Sequence, residues 1–207
     1  MHMSVAEIEK FIYSKRSWIE KHLRGEAPEH RRASRLDFKP GYGDTVLFRG
    51  RECEILASAA MNTGRPNRYK GEYKDGVFLI GEDLKAREIR FILSWIYKRE
   101  ASKYIPDRVK HFQSLMKLSP DSVQITSAFG RWGSCSAKKR LHFAWMLMMA
   151  DDDAIDAVVV HELSHMIEAN HSSAFYAVVR KYYPDYDAQH KKMKPLGRRI
   201  DQEHWKS

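Results

Sequence analysis

"VVVHELSHMIEANHSSAF", residues 158–175, decides how the rest of the chain is read. It carries His161, His165 and His171, with Glu162 directly after the first histidine. The run from Asp151 to Asn170 has helical spacing, because Ile155, Val158, Val159, Leu163, Met166 and Ile167 fall on one stripe that a core would bury. Asp151 to Asp153 add N-cap and first-turn acid chemistry. His161 and His165, four residues apart, stand one turn above each other on a different face. Two imidazoles so placed can grip one metal ion. Glu162, offset around the helix, can reach a metal-bound water without being a ligand, so H-E-x-x-H separates two ligands from one base.

A catalytic zinc takes three protein ligands and keeps a fourth position for water. His171 lies six residues beyond His165, too far to stack on an unbroken helix. A helix ending at Asn170, a residue type that tolerates the left-handed conformation, would swing His171 back to the ion. Glu168 is the rival third ligand, since positions 161, 165 and 168 also share a face. The bland reading is a helix that merely carries histidines, and five matching residues alone occur by chance on the order of a few per cent of the time. The weight for a metal comes from the strongly patterned helix and the spacing of the third histidine.

With 207 residues, 43% of them hydrophobic and five tryptophans, the chain can bury a real core. It has no run of 18 uncharged apolar residues and its first residues lack an apolar signal region, so no membrane span is expected and a reducing cytoplasm is the expected compartment. Cys53 and Cys135, 82 positions apart, cannot build a zinc ribbon or a disulfide framework. The net charge of +9 invites non-specific nucleic-acid binding, but the basic residues are spread along the chain without a recognised nucleic-acid-binding motif, so a solvated basic surface is the simpler reading.

Residues 4–23 read as an amphipathic helix with Ser4 and Glu7 as a capping box, followed by a polar link. "VLFRGRECEIL" and "YKGEYKDGVFLI" then read as two hairpins turning at Arg49-Gly50-Arg51 and Asp75-Gly76. Residues 82–118 form the longest helical pattern, with Leu84 to Leu115 on its apolar stripe and Pro106 expected to kink or divide it. Two strands, "DSVQITSAF" and "LHFAWML", flank the polar segment "GRWGSCSAKKR", and helices near 172–182 and 186–200 close the chain. These elements suggest a helix plus strand-rich part over residues 1–82 and a second domain over 83–207.

"RWGSCS", "LHFAWML" and "IDAVVVHELSHMIEANHSSAFYAVVRKYYPDY" together resemble the YgjP-like zinc metallopeptidases, relatives of the SprT and Wss-type proteases in the zincin-like superfamily. The resemblance covers most of the chain, with its specific part in the C-terminal half. It implies an α+β, minimal zincin-like fold with a small twisted sheet over the active-site helix. It also implies Zn2+ held by His161, His165 and His171, with Glu162 as general base and a peptide or protein as substrate. The chain departs from the family pattern at Ala144 and Met146, and in the "SAFG" that precedes "RWGSC"; both bear on substrate contacts rather than on the metal. A C-terminal zinc ribbon, frequent in SprT-type relatives, has no cysteines here to form it.

Trp132 and Cys135 could line a substrate cleft; equally, Trp132 could be a core anchor and Gly133 a turn residue. Cys135 is not expected to act as a nucleophile. Tyr182, Tyr183, Tyr186 and His190 follow the site, and spacing alone does not decide which of them would face an oxyanion. His190, with His2, His22, His30, His111, His142 and His204, otherwise reads as a surface or packing histidine. Two other classes stay open: a closed structural zinc site, and a nucleic-acid-associated protein on the same scaffold.

Overall fold

The computed structural model describes residues 39–62, 70–203 and 205, all within one compact unit that spans Asp37–Ser207. The amphipathic helix expected over residues 4–23, and the link after it, lie outside the described residues. Strands β1 (Thr45–Phe48) and β2 (Arg51–Ala57) form the first hairpin, and β3 (Gly71–Lys74) and β4 (Val77–Ile80) the second. Both turns have two residues at positive φ, Arg49-Gly50 and Asp75-Gly76, the type I′ geometry whose twist suits paired strands. The hairpins join through parallel β2 and β4 into a four-stranded sheet ordered β1-β2-β4-β3. Alternation sends Val46, Phe48, Cys53, Ile55, Phe78 and Ile80 into the core and leaves Glu52 and Glu54 in water.

Helix α1 (Ala86–Met116) packs against both hairpin strands β3 and β4 and the second sheet, so the strand-rich stretch and the later helices share one core. It runs through Pro106 without dividing. The carbonyl that loses its partner there is Ser102's, on the exposed side of the helix, where water can replace the lost bond. On the other side Ile96, Tyr97, Ala101, Ile105, Val109 and Phe112 are buried before and after the proline and hold both halves in register. Leu115 leaves the expected stripe and is 55% exposed.

The second sheet is three-stranded, β5 (Ser122–Thr126), β7 (Arg140–Ala144) and β6 (Gly133–Cys135), in the order β5-β7-β6. β6 falls inside the segment read as a polar connection; three residues are too few to show alternation, and it is the antiparallel edge of the sheet. Trp145–Met149 wind into a buried 3-10 turn, so the strand expected over "LHFAWML" stops after Ala144. Helices α2 (Asp152–Ser164), α3 (Ser173–Tyr182) and α4 (Tyr186–Gln202) complete the α+β fold, with β6 and α4 both against α2. The expected α+β arrangement, with a small sheet against the helix that bears H-E-x-x-H, is found.

Charged side chains tie the first hairpin to the start of α2. Asp151 caps the helix at Ala154 N, 2.8 Å away, and Asp152 takes both prongs of Arg49 at 2.6 and 2.5 Å. A Cβ on Gly50 would come within 2.7 Å of Asp151 Cβ, so this approach needs a glycine. Lys192 and Arg199 of α4 reach Asp151 and Glu52 from the other side. Deeper in, Arg108 of α1 grips Asp156 of α2 with two bonds of 2.7 Å, and Asp156 is only 9% exposed. Asp156→Ala leaves the guanidinium without its counter-charge and is expected to cost about 3 kcal/mol in denaturant unfolding, whereas the paired change Asp156→Leu with Arg108→Met should be nearly neutral.

Candidate metal centre and active site

Helix α2 ends at Ser164, six residues before the expected stop. Ser164 Oγ donates to the Val160 carbonyl at 2.7 Å, and Met166 N and Ile167 N bond back only three residues, so the chain tightens into a turn. Asn170 is not among the described residues with positive φ, so a left-handed residue there is not what returns His171. A second helix does it instead: Ser172 caps α3 by accepting from Phe175 N at 3.3 Å, which fixes His171 just ahead of the first turn. Ending the helix early also turns Ile167 outward, to 45% exposure, rather than into the expected stripe.

This folding brings His161, His165 and His171 together, with one ligand nitrogen from each within 4.8 Å of the others. Glu168 is half-buried and is not part of that group. His161 Nε2 and His171 Nε2 face each other at 3.0 Å, while nitrogens bound at 2.0–2.1 Å to one tetrahedral zinc stand about 3.3 Å apart. The remaining ring nitrogens of the helix pair are held elsewhere: His161 Nδ1 meets the Tyr186 hydroxyl at 2.8 Å, and His165 Nδ1 meets the Ala169 carbonyl at 3.2 Å. Such bonds orient imidazoles for coordination and set the tautomer. Phe175, fully buried, lies against all three rings at centroid distances of 4.9, 4.5 and 4.9 Å.

Burial pushes the His161 imidazolium down to about 3, helped by His165, His171 and His190, and burial with His171 also lowers His165. Neutral imidazoles are the form that binds a metal, so the donor set and its spacing, with His161 and His165 held toward the neutral form, fit a zinc ion.

Glu162 is 6% exposed, and burial raises its carboxyl to about 7, with Arg131 acting the other way. The carboxyl sits against the Gly133 backbone of β6: a Cβ at Gly133 would lie 2.6 Å from Glu162 Cγ and 2.8 Å from Oε1. Gly133 is therefore the floor on which Glu162 rests. Its neighbour Cys135 has its thiol pushed up by burial and by Glu162, which keeps it protonated and unsuited to nucleophilic attack.

Trp132 is half-buried and packs on the edge of the core and close to Gly197 of α4. Of the residues that follow the histidines, Tyr186 is the one bonded to His161, while the Tyr183 hydroxyl donates to the Asp153 carbonyl at 2.9 Å. His190, read as a surface or packing residue, stacks on Tyr186 with centroids 5.2 Å apart and lies 6.4 Å from the His161 ring. Phe175 and Gly133 escaped the sequence reading as parts of the site, and Tyr186 entered it only as one of four residues that could face an oxyanion. Phe175 and Tyr186 carry only core-like signals, and Gly133 reads as a turn until the strand above Glu162 is seen.

No helix among the described residues is long and apolar enough to cross a membrane. No curated protein matches the chain. A crystal structure of the metallopeptidase zymogen of Pyrococcus abyssi abylysin aligns at 18% identity over 43% of this chain and 90% of that one, with a TM-score of 0.40. The model of the YgjP-like metallopeptidase domain matches residues 1–195, and the chain belongs to that metallopeptidase family.

Proposed function

We propose that the protein is a zinc-dependent peptidase in which His161, His165 and His171 hold the ion and Glu162 is the general base. The observation that carries this reading is the convergence of one nitrogen from each of three histidines within 4.8 Å, beside the helix that also presents a buried glutamate. A zinc ion in that cradle supplies a Lewis acid that acidifies water and polarises a carbonyl. Glu162 takes the proton of the attacking water and returns it to the leaving amine, and its raised affinity for protons suits both transfers. β6, an edge strand beside Glu162, offers unpaired backbone groups along which an extended peptide can lie. Tyr186 keeps the His161 ring aimed by accepting the Nδ1 proton.

Metal analysis of wild type beside His171→Ala and Glu168→Ala tests the ligand set. One zinc per chain is expected in wild type and in Glu168→Ala, and a much weakened site in His171→Ala. A histidine-bearing helix without a metal would leave all three empty after reconstitution. Tyr186→Phe removes the hydroxyl that steadies His161, and competition with a chromogenic chelator should show zinc affinity falling roughly 10-fold or more.

A further inference from the structure

We propose that the cavity beside Trp132 receives one apolar side chain of the peptide substrate, and that Gly197 sets how large that side chain can be. The proposal rests on the peptidase reading for the identity of its ligand, though its test does not require turnover.

The register of α4 places the cavity along the path of a bound chain. Tyr186, Met193 and Ile200, seven apart, form the buried line of the helix. His190 and Gly197, also seven apart, lie together on the adjoining flank. At one end of that flank His190 stacks on Tyr186, whose hydroxyl bonds His161. At the other, Gly197 faces the Trp132 indole, whose Cζ2 would be 3.7 Å from an added Cβ. Seven helical residues advance about 10 Å, the length of three residues of extended peptide. A chain lying on β6 across the histidines therefore reaches the cavity within three residues of the scissile bond.

The cavity itself has the form of a side-chain pocket. It measures about 150 Å3 and is lined by Phe129, Trp132, Ala144, Met146, Gly197 and Ile200, with Arg131 and Asp201 as its charged residues. Apolar cavities of about that volume hold a benzene-sized group. Phe129 stands 42% exposed, an aromatic surface that an incoming apolar side chain would cover. Arg131, also lining the cavity, lies two residues before Gly133, against whose backbone the Glu162 carboxyl packs. Trp132 directly precedes Gly133, the residue on which Glu162 rests, and filling the pocket would thus register the peptide against the reaction centre.

Gly197 gives the pocket an adjustable wall. A Cβ there meets Trp132 at ordinary contact distance, so Gly197→Ala fits, and both Ala and Leu favour the helix over Gly. A leucine side chain would fill the space. The test uses the zinc-loaded full chain carrying Glu162→Gln, which binds without cleaving, and a sequence-randomised peptide library as the probe. Bound peptides are expected to be enriched roughly tenfold in Leu, Met or Phe at one fixed position. Gly197→Ala in the same background should shift that position toward smaller apolar residues, and Gly197→Leu should erase the enrichment while zinc stoichiometry stays at the parent value. Absence of any positional enrichment, or enrichment unchanged by Gly197→Leu, overturns the proposal. Hydrolysis of the same library by the otherwise native enzyme is scored separately: its absence counts against the peptidase reading and leaves the pocket result standing.

Discussion

Glu162→Gln is expected to keep its zinc, lose roughly 10²–10⁴-fold in peptide hydrolysis, and fold more stably than the native sequence in neutral solution. The first two effects follow from the proposed division of labour: histidines hold the ion, and the amide of Gln cannot accept a proton in the transition state. The stability gain follows from burial. An unfolded chain gives up the Glu162 proton near 4.5, whereas the metal-free folded protein holds it to about 7. The folded state thus binds more protons between those values, and stability associated with this group is present below 4.5 and lost as pH rises through 7. The loss amounts to roughly 3 kcal/mol above pH 7 for a carboxyl so displaced. Gln carries no such penalty. Urea unfolding of metal-free proteins should therefore show the variant gaining on wild type from pH 4.5 upward, with the difference levelling off above pH 7. His161, held neutral down to about 3, contributes the opposite slope between about 3 and 6.5 in both proteins, so the difference between them isolates Glu162. A variant as active as wild type would remove Glu162 from the chemistry, and parallel stability profiles would contradict its burial as a raised acid.

Gly133→Ala should be nearly as damaging to activity while sparing every ligand. The added methyl would sit 2.6 Å from Glu162 Cγ, so either β6 lifts or the carboxyl swings away. Crowding of this kind costs about 1–3 kcal/mol, and moving a base by about 1 Å can cost roughly 100-fold in rate. The three atoms nearest the added methyl all belong to Glu162, so a double-mutant cycle can expose the clash. Combining Gly133→Ala with Glu162→Ala vacates the space, so the stability cost of the first change should largely vanish in the second background. Equal costs in both backgrounds would mean that Gly133 is needed for the strand's own conformation instead.

The pairing of His161 with His165 could be read from the chain because H-E-x-x-H converts a helical period directly into a shared face. The two hairpins were legible for a comparable reason: Arg49-Gly50 and Asp75-Gly76 occupy turns whose backbone demands positive φ. What the pattern could not supply was anything set by packing between distant segments. The end of α2 at Ser164 depends on a side-chain bond to Val160 and on the cap of the next helix, not on Asn170. The unbroken passage of α1 through Pro106 depends on which side of the helix faces water. β6 is three residues long and takes its identity from pairing with β7, so the strand that seats Glu162 looked like a connection. His190 carried no periodic signal, and only the position of α4 brings it beside Tyr186.

The charged ties at the start of α2 also bear on how the protein is made. Arg49 and its partner Asp152 are 103 residues apart in the chain, and Glu52 and Arg199 are 147 apart. A ribosome adding residues at 5–20 per second would release the hairpin tip about 5–20 s before Asp152. For that interval Arg49 would wait without its acidic partner; β4 and α1 emerge earlier to cover β2, while β1, the edge of the described sheet, could pair with neighbouring nascent chains. Arg49 and Arg51 at the tip would repel like copies in the meantime. The arginine that later clamps the active-site helix is thus also placed to guard the hairpin during synthesis.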